Sequence, residues 1–197
     1  MVSDTGVSLH GESLANKRIL LAITGGIAAV ESVRLSREIR RHGATVHPIM
    51  TKEATKVITP LAISWGTGSE VITDWDSSMS QLGNYDAILI APATRNSIAK
   101  HLNGIMDSPV MMALSAARGN GTPRIFVPSM HSDLFDDPVT GDLLESLEKE
   151  GSHIILDEER EGKRKQSDPI EIVSRLCHIV NSSLPKRRKI ALTLGAN

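Results

Sequence analysis

Residues 19–43 read ILLAITGGIAAVESVRLSREIRRHG. An apolar run stops at Thr24-Gly25-Gly26 and a helical pattern begins at once. The run, from residue 17 to 23, is too short for a helix of its own and reads as a strand buried on both faces. Over residues 27–42, Ala29, Val30, Val33, Leu35 and Ile39 recur between Arg and Glu, which predicts a helix ended by Gly43. Two glycines at that junction have two readings. One is a tight strand-to-helix turn. The other is a cradle for a phosphate, because backbone amides are free there and the helix dipole favours an anion. The stretch is neither GxGxxG nor a P-loop, so both readings stand on local grounds.

The same alternation continues to the end of the chain. Strands are predicted over 44–50, 85–92, 124–128 and 153–156. Helices are predicted over 51–57, from Pro60, and over 94–103, 108–118, 137–151 and 169–181. Residues 70–81 show no clear period, and residues 158–166 (EEREGKRKQ) read as a charged loop. Strands alternating with helices through short links predict an α/β fold, a Rossmann-like (flavodoxin-like) three-layer sandwich with a central parallel sheet. Such sheets bind ligands beyond the carboxyl ends of their strands. The chemistry-bearing residues fall there: Thr24-Gly25-Gly26, Met50-Thr51, Ala91-Pro92-Ala93-Thr94 and Pro128-Ser129-Met130-His131.

Composition narrows the function classes. The chain has 197 residues and a formal net charge of −1, so no basic field points to nucleic acid. Aromatics make up only 3%, which disfavours base-stacking surfaces. No apolar run approaches the roughly 18 residues of a membrane span. Residues 1–16 lack the basic start and apolar stretch of a signal peptide and read as a loose N-terminal arm. The one cysteine, Cys177, has no intramolecular partner and lies on the apolar side of its predicted helix, so it reads as core in a cytoplasmic chain. The seven histidines show no metal-ligand spacing, and no metal is expected. Residues 182–188 form a basic linker, and KIALTLGAN (189–197) reads as either a tail or the first strand of a further domain.

Two further stretches carry donors. In APATRNSIAK, Thr94, Asn96 and Ser97 open a helix, where they suit an N-cap, an anion site, or both. In VPSMHSDLFDDP, Met130, His131 and Phe135 follow a strand, where they suit a surface loop or a pocket wall.

Taken together and in this order, TGGIAA, APATRNSIAK and PSMHSDLF resemble the FMN-binding flavoproteins that include phosphopantothenoylcysteine decarboxylase. The likeness spans roughly residues 14–181. APATRNSIAK resembles the family's Pro-Ala-Ser-Ala-Asn-Thr motif, with Asn96 at its Asn. PSMHSDLF resembles Pro-x-Met-Asn-x-x-Met-Trp, with His131 at the Asn and Phe135 at the Trp. The His at that position and EGKRK in the substrate loop are similar to archaeal members. The resemblance implies FMN held by Gly25, Gly26, Ile27, Ala28, Thr51, Ala91, Pro92, Ala93, Thr94, Asn96 and Ser115. It implies a substrate site with Met130, His131, Phe135 and Lys163, and His131 as the catalytic group. The implied reaction is decarboxylation of 4′-phosphopantothenoylcysteine to 4′-phosphopantetheine in coenzyme A biosynthesis. Family members are homo-oligomers, trimers or dodecamers, and KIALTLGAN resembles the start of the ligase domain often fused behind them. On this reading, residues 17–181 are the FMN-binding domain.

Two departures bear on the chemistry. Ser78 or Met79 stands where family decarboxylases carry a His, and the substrate-loop Cys is missing. They leave a non-decarboxylating flavoprotein of the same fold as the alternative. A flavin prenyltransferase fits less well, because Gly26-Ile27-Ala28 departs from its Thr-Gly-Ala-Ser-Gly loop.

Overall fold

A computed structural model of the chain describes residues 5–75, 77–156, 163–164 and 166–182. Five strands form one parallel sheet: β1 (Arg18–Ile23), β2 (Thr45–Met50), β3 (Ala87–Ala93), β4 (Arg124–Pro128) and β6 (His153–Ile154), in the order β2-β1-β3-β4-β6. A second, two-stranded antiparallel pair joins β5 (Met130–His131) to β7 (Lys163–Arg164). The helices are α1 (Ser32–Arg41), α2 (Pro60–Thr67), α3 (Arg95–Leu102), α4 (Pro109–Asn120), α5 (Ser132–Phe135), α6 (Pro138–Lys149) and α7 (Pro169–Ser182).

The strands read as continuous apolar runs because both faces are covered. Ile19, Leu21 and Ile23 of β1 point into one core with α1, α2 and α7, while Leu20 and Ala22 point into the other with α3, α4 and α6. Burying each large aliphatic side chain contributes roughly 1.5–3 kcal/mol, so the two faces of the central strands anchor the fold. The three layers match the expected α/β sandwich.

Several local expectations change. Residues 27–31 form a 3₁₀ turn before α1, and Val30, expected in the core, is half exposed. Residues 51–57 hold only a 3₁₀ turn, Ala54–Lys56, in which Thr51 Oγ1 accepts the Ala54 amide at 3.2 Å. The charged 158–166 stretch contributes strand β7, which needs a distant partner that no local pattern reveals. The arm from residue 5 onward packs on its own chain. His10 and Leu14 amides bond Arg41 and His42 carbonyls, and Leu14 is fully buried. Cys177 is half-buried against the first core. KIALTLGAN lies outside the described residues, as does most of the charged loop. No helix among the described residues is long and apolar enough to cross a membrane.

Candidate functional site

Chain order reverses between β1 and β3, which opens a crevice beyond the strands' carboxyl ends. A cavity of about 370 Å³ lies there, a size that suits a small organic ligand. Gly25 lines it from the end of β1, and Met50, Thr51, Lys52 and Glu53 from the end of β2. Thr94, Asn96 and Ser97 enter from the start of α3, Lys100 from its last turn, and Asp107, Ser108, Pro109 and Met111 from the start of α4. Thr73, Asp74 and Trp75 close one side. They are brought there by Ile72, whose amide donates to Pro48 O at 3.0 Å while its carbonyl accepts the Met50 amide at 2.8 Å.

The two glycines do different things, and neither has a positive φ. A Cβ on Gly25 would collide with Glu53 Cβ and sit 3.0 Å from Glu53 C, so only glycine lets the β1 and β2 loops close together. A Cβ on Gly26 would meet nothing nearer than Thr94 Cγ2 at 3.4 Å. Close approach, not an unusual dihedral, explains the junction.

Thr24 fastens this loop to β3. Its buried hydroxyl donates to Pro92 O at 2.7 Å and accepts the Thr94 amide at 3.1 Å. Thr94 in turn caps α3, with Oγ1 accepting the Ser97 amide at 3.4 Å. Ser108 caps α4 by accepting the Met111 amide at 3.4 Å, with Pro109 at the first helical position. Two helix N-termini therefore border one cavity, and both dipoles favour an anion. The Asn96 side chain, exposed to the cavity, has no hydrogen-bond partner among the described residues.

Both lysines at the cavity are already paired. Lys52 Nζ lies 3.3 Å from Asp74 Oδ2, and Lys100 Nζ lies 2.6 Å from Asp107 Oδ2. The Trp75 amide and then Lys52 hold the Asp74 carboxyl below its usual range. Donors for a ligand phosphate thus come from helix ends, hydroxyls and Asn96, with lysines at the rim. Trp75, Met50 and Met111 supply apolar and aromatic wall for a flat ring system. The donor set and cavity size fit a phosphate-bearing flavin.

Of the expected cofactor residues, Gly25, Thr51, Thr94 and Asn96 line the cavity. Gly26 adjoins Pro92 and Thr94. Ala91, Pro92 and Ala93 are buried in β3, so what they can offer a ligand is backbone. Ile27 is 80% exposed and Ala28 partly exposed on the turn after Gly26. Ser115 lies further along α4, outside the cavity lining. Met130, His131 and Phe135 sit on β5 and α5, a segment also outside that lining, and Lys163 pairs by backbone with His131. Sequence reasoning missed Lys52, Thr73, Asp74, Trp75, Lys100 and Ser108. Ser108-Pro109 carried a readable cap signal. Thr73–Trp75 carried none, since a single bridge places them.

A family model described as Flavoprotein matches residues 7–185. The chain is 37% identical over 190 residues to the coenzyme A biosynthesis bifunctional protein CoaBC of Thermococcus kodakarensis, covering 93% of this chain and 47% of that protein. It is 35% identical over 185 residues to the protein of the same name from Methanocaldococcus jannaschii, covering 92% and 45%. The chain thus spans about half the length of these curated relatives. Among solved structures, the FMN-dependent cysteine decarboxylase SpaF superposes with a TM-score of 0.75 at 24% identity, covering 85% of this chain and 98% of that one. A PPC decarboxylase mutant complexed with pantothenoylaminoethenethiol superposes at 0.72 and 21% identity, covering 83% and 97%. At these identities the structural likeness shows a shared fold.

Proposed function

The chain belongs to the Flavoprotein family, and from that premise we propose that it binds FMN in the cavity at the β1–β3 switch point and decarboxylates 4′-phosphopantothenoylcysteine to 4′-phosphopantetheine in coenzyme A biosynthesis. One observation carries the reading. The cavity gathers residues from the glycine loop and the APAT motif in a chain 37% identical to a CoaBC protein across 93% of its own length.

A flavin held there would supply two-electron redox chemistry for the substrate thiol. The chain's own residues hold and move protons around that chemistry. Helix ends α3 and α4, with Thr94, Asn96 and Ser108, orient the phosphate-bearing ligand and keep the reacting end fixed. His131 is the proposed proton carrier. Its Nδ1 accepts the Asp133 amide at 3.3 Å, so the neutral ring carries its proton on Nε2. Asp133 Oδ2 also lies 3.3 Å from Nδ1. Ser78 or Met79 stands where the resemblance implies a His, and neither a hydroxyl nor a thioether exchanges protons near neutral pH; Met79 has φ 49° and leads a 3₁₀ turn. The acid–base work is therefore assigned to His131.

Exposed Ile27 and Val30 on the turn after Gly26 supply an apolar surface for a second copy, in keeping with a homo-oligomer. A ligase domain, fused or separate, is the proposed working partner, and a cytoplasmic setting is proposed with it. The test is CO2 release from 4′-phosphopantothenoylcysteine by the FMN-loaded protein. We expect release by the wild type and its loss, with flavin retained, in His131→Ala. A yellow wild-type protein that releases no CO2 would overturn the reaction, and full activity in His131→Ala would overturn the role of His131.

A further inference from the structure

Where the motif that APATRNSIAK resembles carries Ala before its Asn, this chain carries Arg95. Arg95 is the first residue of α3, between Thr94 and Asn96 of the cavity. Its guanidinium does not turn to the ligand side. Nη1 donates to Asp137 Oδ2 in a short ion pair and to Thr140 Oγ1 at 3.5 Å. Thr140 is 1% exposed, and its hydroxyl passes the connection on by donating to Leu134 O at 2.5 Å. Asp137 uses its other oxygen to cap α6, accepting the Val139 amide at 3.0 Å.

This chain of contacts matters because of what it holds. The segment of β5 and α5 bears Met130, His131 and Phe135. A two-residue strand and a four-residue helix cannot hold themselves in place, since so short a helix lies well below the length at which helices become stable alone. The segment depends on tethers from elsewhere. One is the β5–β7 pairing, and another is the Ser129 amide on Ala93 O at 3.4 Å. Arg95 links it to the helix that borders the cavity. A guanidinium suits this task, because its planar fork can serve a carboxylate and a hydroxyl together.

We propose that Arg95 is a positioning residue: through Asp137 and Thr140 it sets where the Met130–Phe135 segment stands relative to the cavity-lining end of α3. Its catalytic consequence rests on the proposed function, but its structural content does not. The link touches neither ligand nor reacting atoms.

The experiment combines hydrogen exchange with steady-state kinetics on the FMN-loaded chain, comparing wild type, Arg95→Gln, Arg95→Lys, Asp137→Asn and the double variant Arg95→Gln/Asp137→Asn. In Arg95→Gln, amides of residues 130–137 are expected to exchange about tenfold faster or more, while the sheet peptides and bound flavin stay as in wild type. The ratio kcat/KM is expected to fall roughly 10- to 100-fold, the usual effect of a displaced catalytic segment. Asp137→Asn should match it, the double variant should be no worse than either single one, and Arg95→Lys should fall between them and wild type. Unchanged exchange over 130–137 in Arg95→Gln, or additive losses in the double variant, would overturn the proposal. Should Arg95→Gln loosen the whole sheet, Arg95→Lys decides by the same local comparison: faster exchange confined to 130–137 upholds the link, and wild-type exchange there overturns it. A wild type that releases no CO2 sinks the proposed reaction, and the exchange data still judge the link.

Discussion

Thr24 does at the residue scale what the two glycines beside it cannot. Its single hydroxyl satisfies the Pro92 carbonyl and the Thr94 amide, and so joins the end of β1 to the end of β3 and the cap of α3. Valine has the same shape without the hydroxyl. Thr24→Val takes this partner from the buried Pro92 carbonyl and the part-buried Thr94 amide, and we expect a loss of about 1–3 kcal/mol in a urea titration. Thr24→Ser keeps the hydroxyl and is expected to stay near wild type. Equal midpoints for Thr24→Val and wild type would show that the two loops hold without the threonine. The sequence displayed Thr24 as plainly as Gly25, yet only the glycines draw attention there. A hydroxyl that serves partners about 70 positions away leaves no local pattern.

At the scale of elements, a charged network binds the ends of α3, α4 and α6 to β4 at the sheet end opposite the cavity. His101, with a fully buried ring, donates from Nε2 to Glu150 Oε1 at 2.7 Å, and its Nδ1 has no partner among the described residues. Arg118 and Ser152 also bond the Glu150 carboxylate, and Arg124 lies 3.7 Å from it. Burial, outweighing the attraction of Glu150, holds His101 below its ordinary 6.5. Burial, then Arg18, does the same to His47. Burial pushes Glu150 upward, but bonds from Ser152, His101 and Arg118 outweigh it and hold the carboxyl below its ordinary 4.5. All three shifts have one sign. Each folded pKa is depressed, so the unfolded chain binds protons first and stability falls as pH falls. The histidine contribution is present above about pH 6.5 and is lost as pH falls toward the folded values; that of Glu150 is lost below about 4.5. We expect the urea midpoint to decline steadily from pH 7.5 to pH 4, with a shallower upper limb in His101→Gln. A midpoint that rises on acidification would contradict this assignment.

At the scale of the whole molecule, the sequence carried the layer architecture because β1 and β3, at the centre of the sheet, each announced itself as an apolar run followed by a helix. Residues 19–43 alone set the pattern that β3 and α3 repeat. The site was legible where it rests on loops that follow strands directly, as with Gly25, Thr51, Thr94 and Asn96. It was not legible where placement depends on distant pairing. Thr73–Trp75 reach the cavity through the Ile49–Ile72 bridge, and Lys163 reaches His131 through a two-residue antiparallel pair. Arg95 carries no local sign of its partner, because Asp137 lies 42 positions away.

All of this converges on one claim, that the cavity beyond β1, β2 and β3 is a flavin site. The direct measurement is an FMN titration of the chain followed by flavin fluorescence and visible absorbance, with Asn96→Trp alongside. Asn96 is exposed at the cavity, so an indole there occupies ligand space at little cost to the fold. The account predicts one FMN bound per wild-type chain, and none by Asn96→Trp at an unchanged melting temperature. A wild type that takes up no FMN, or an Asn96→Trp protein that binds it equally well, would contradict it.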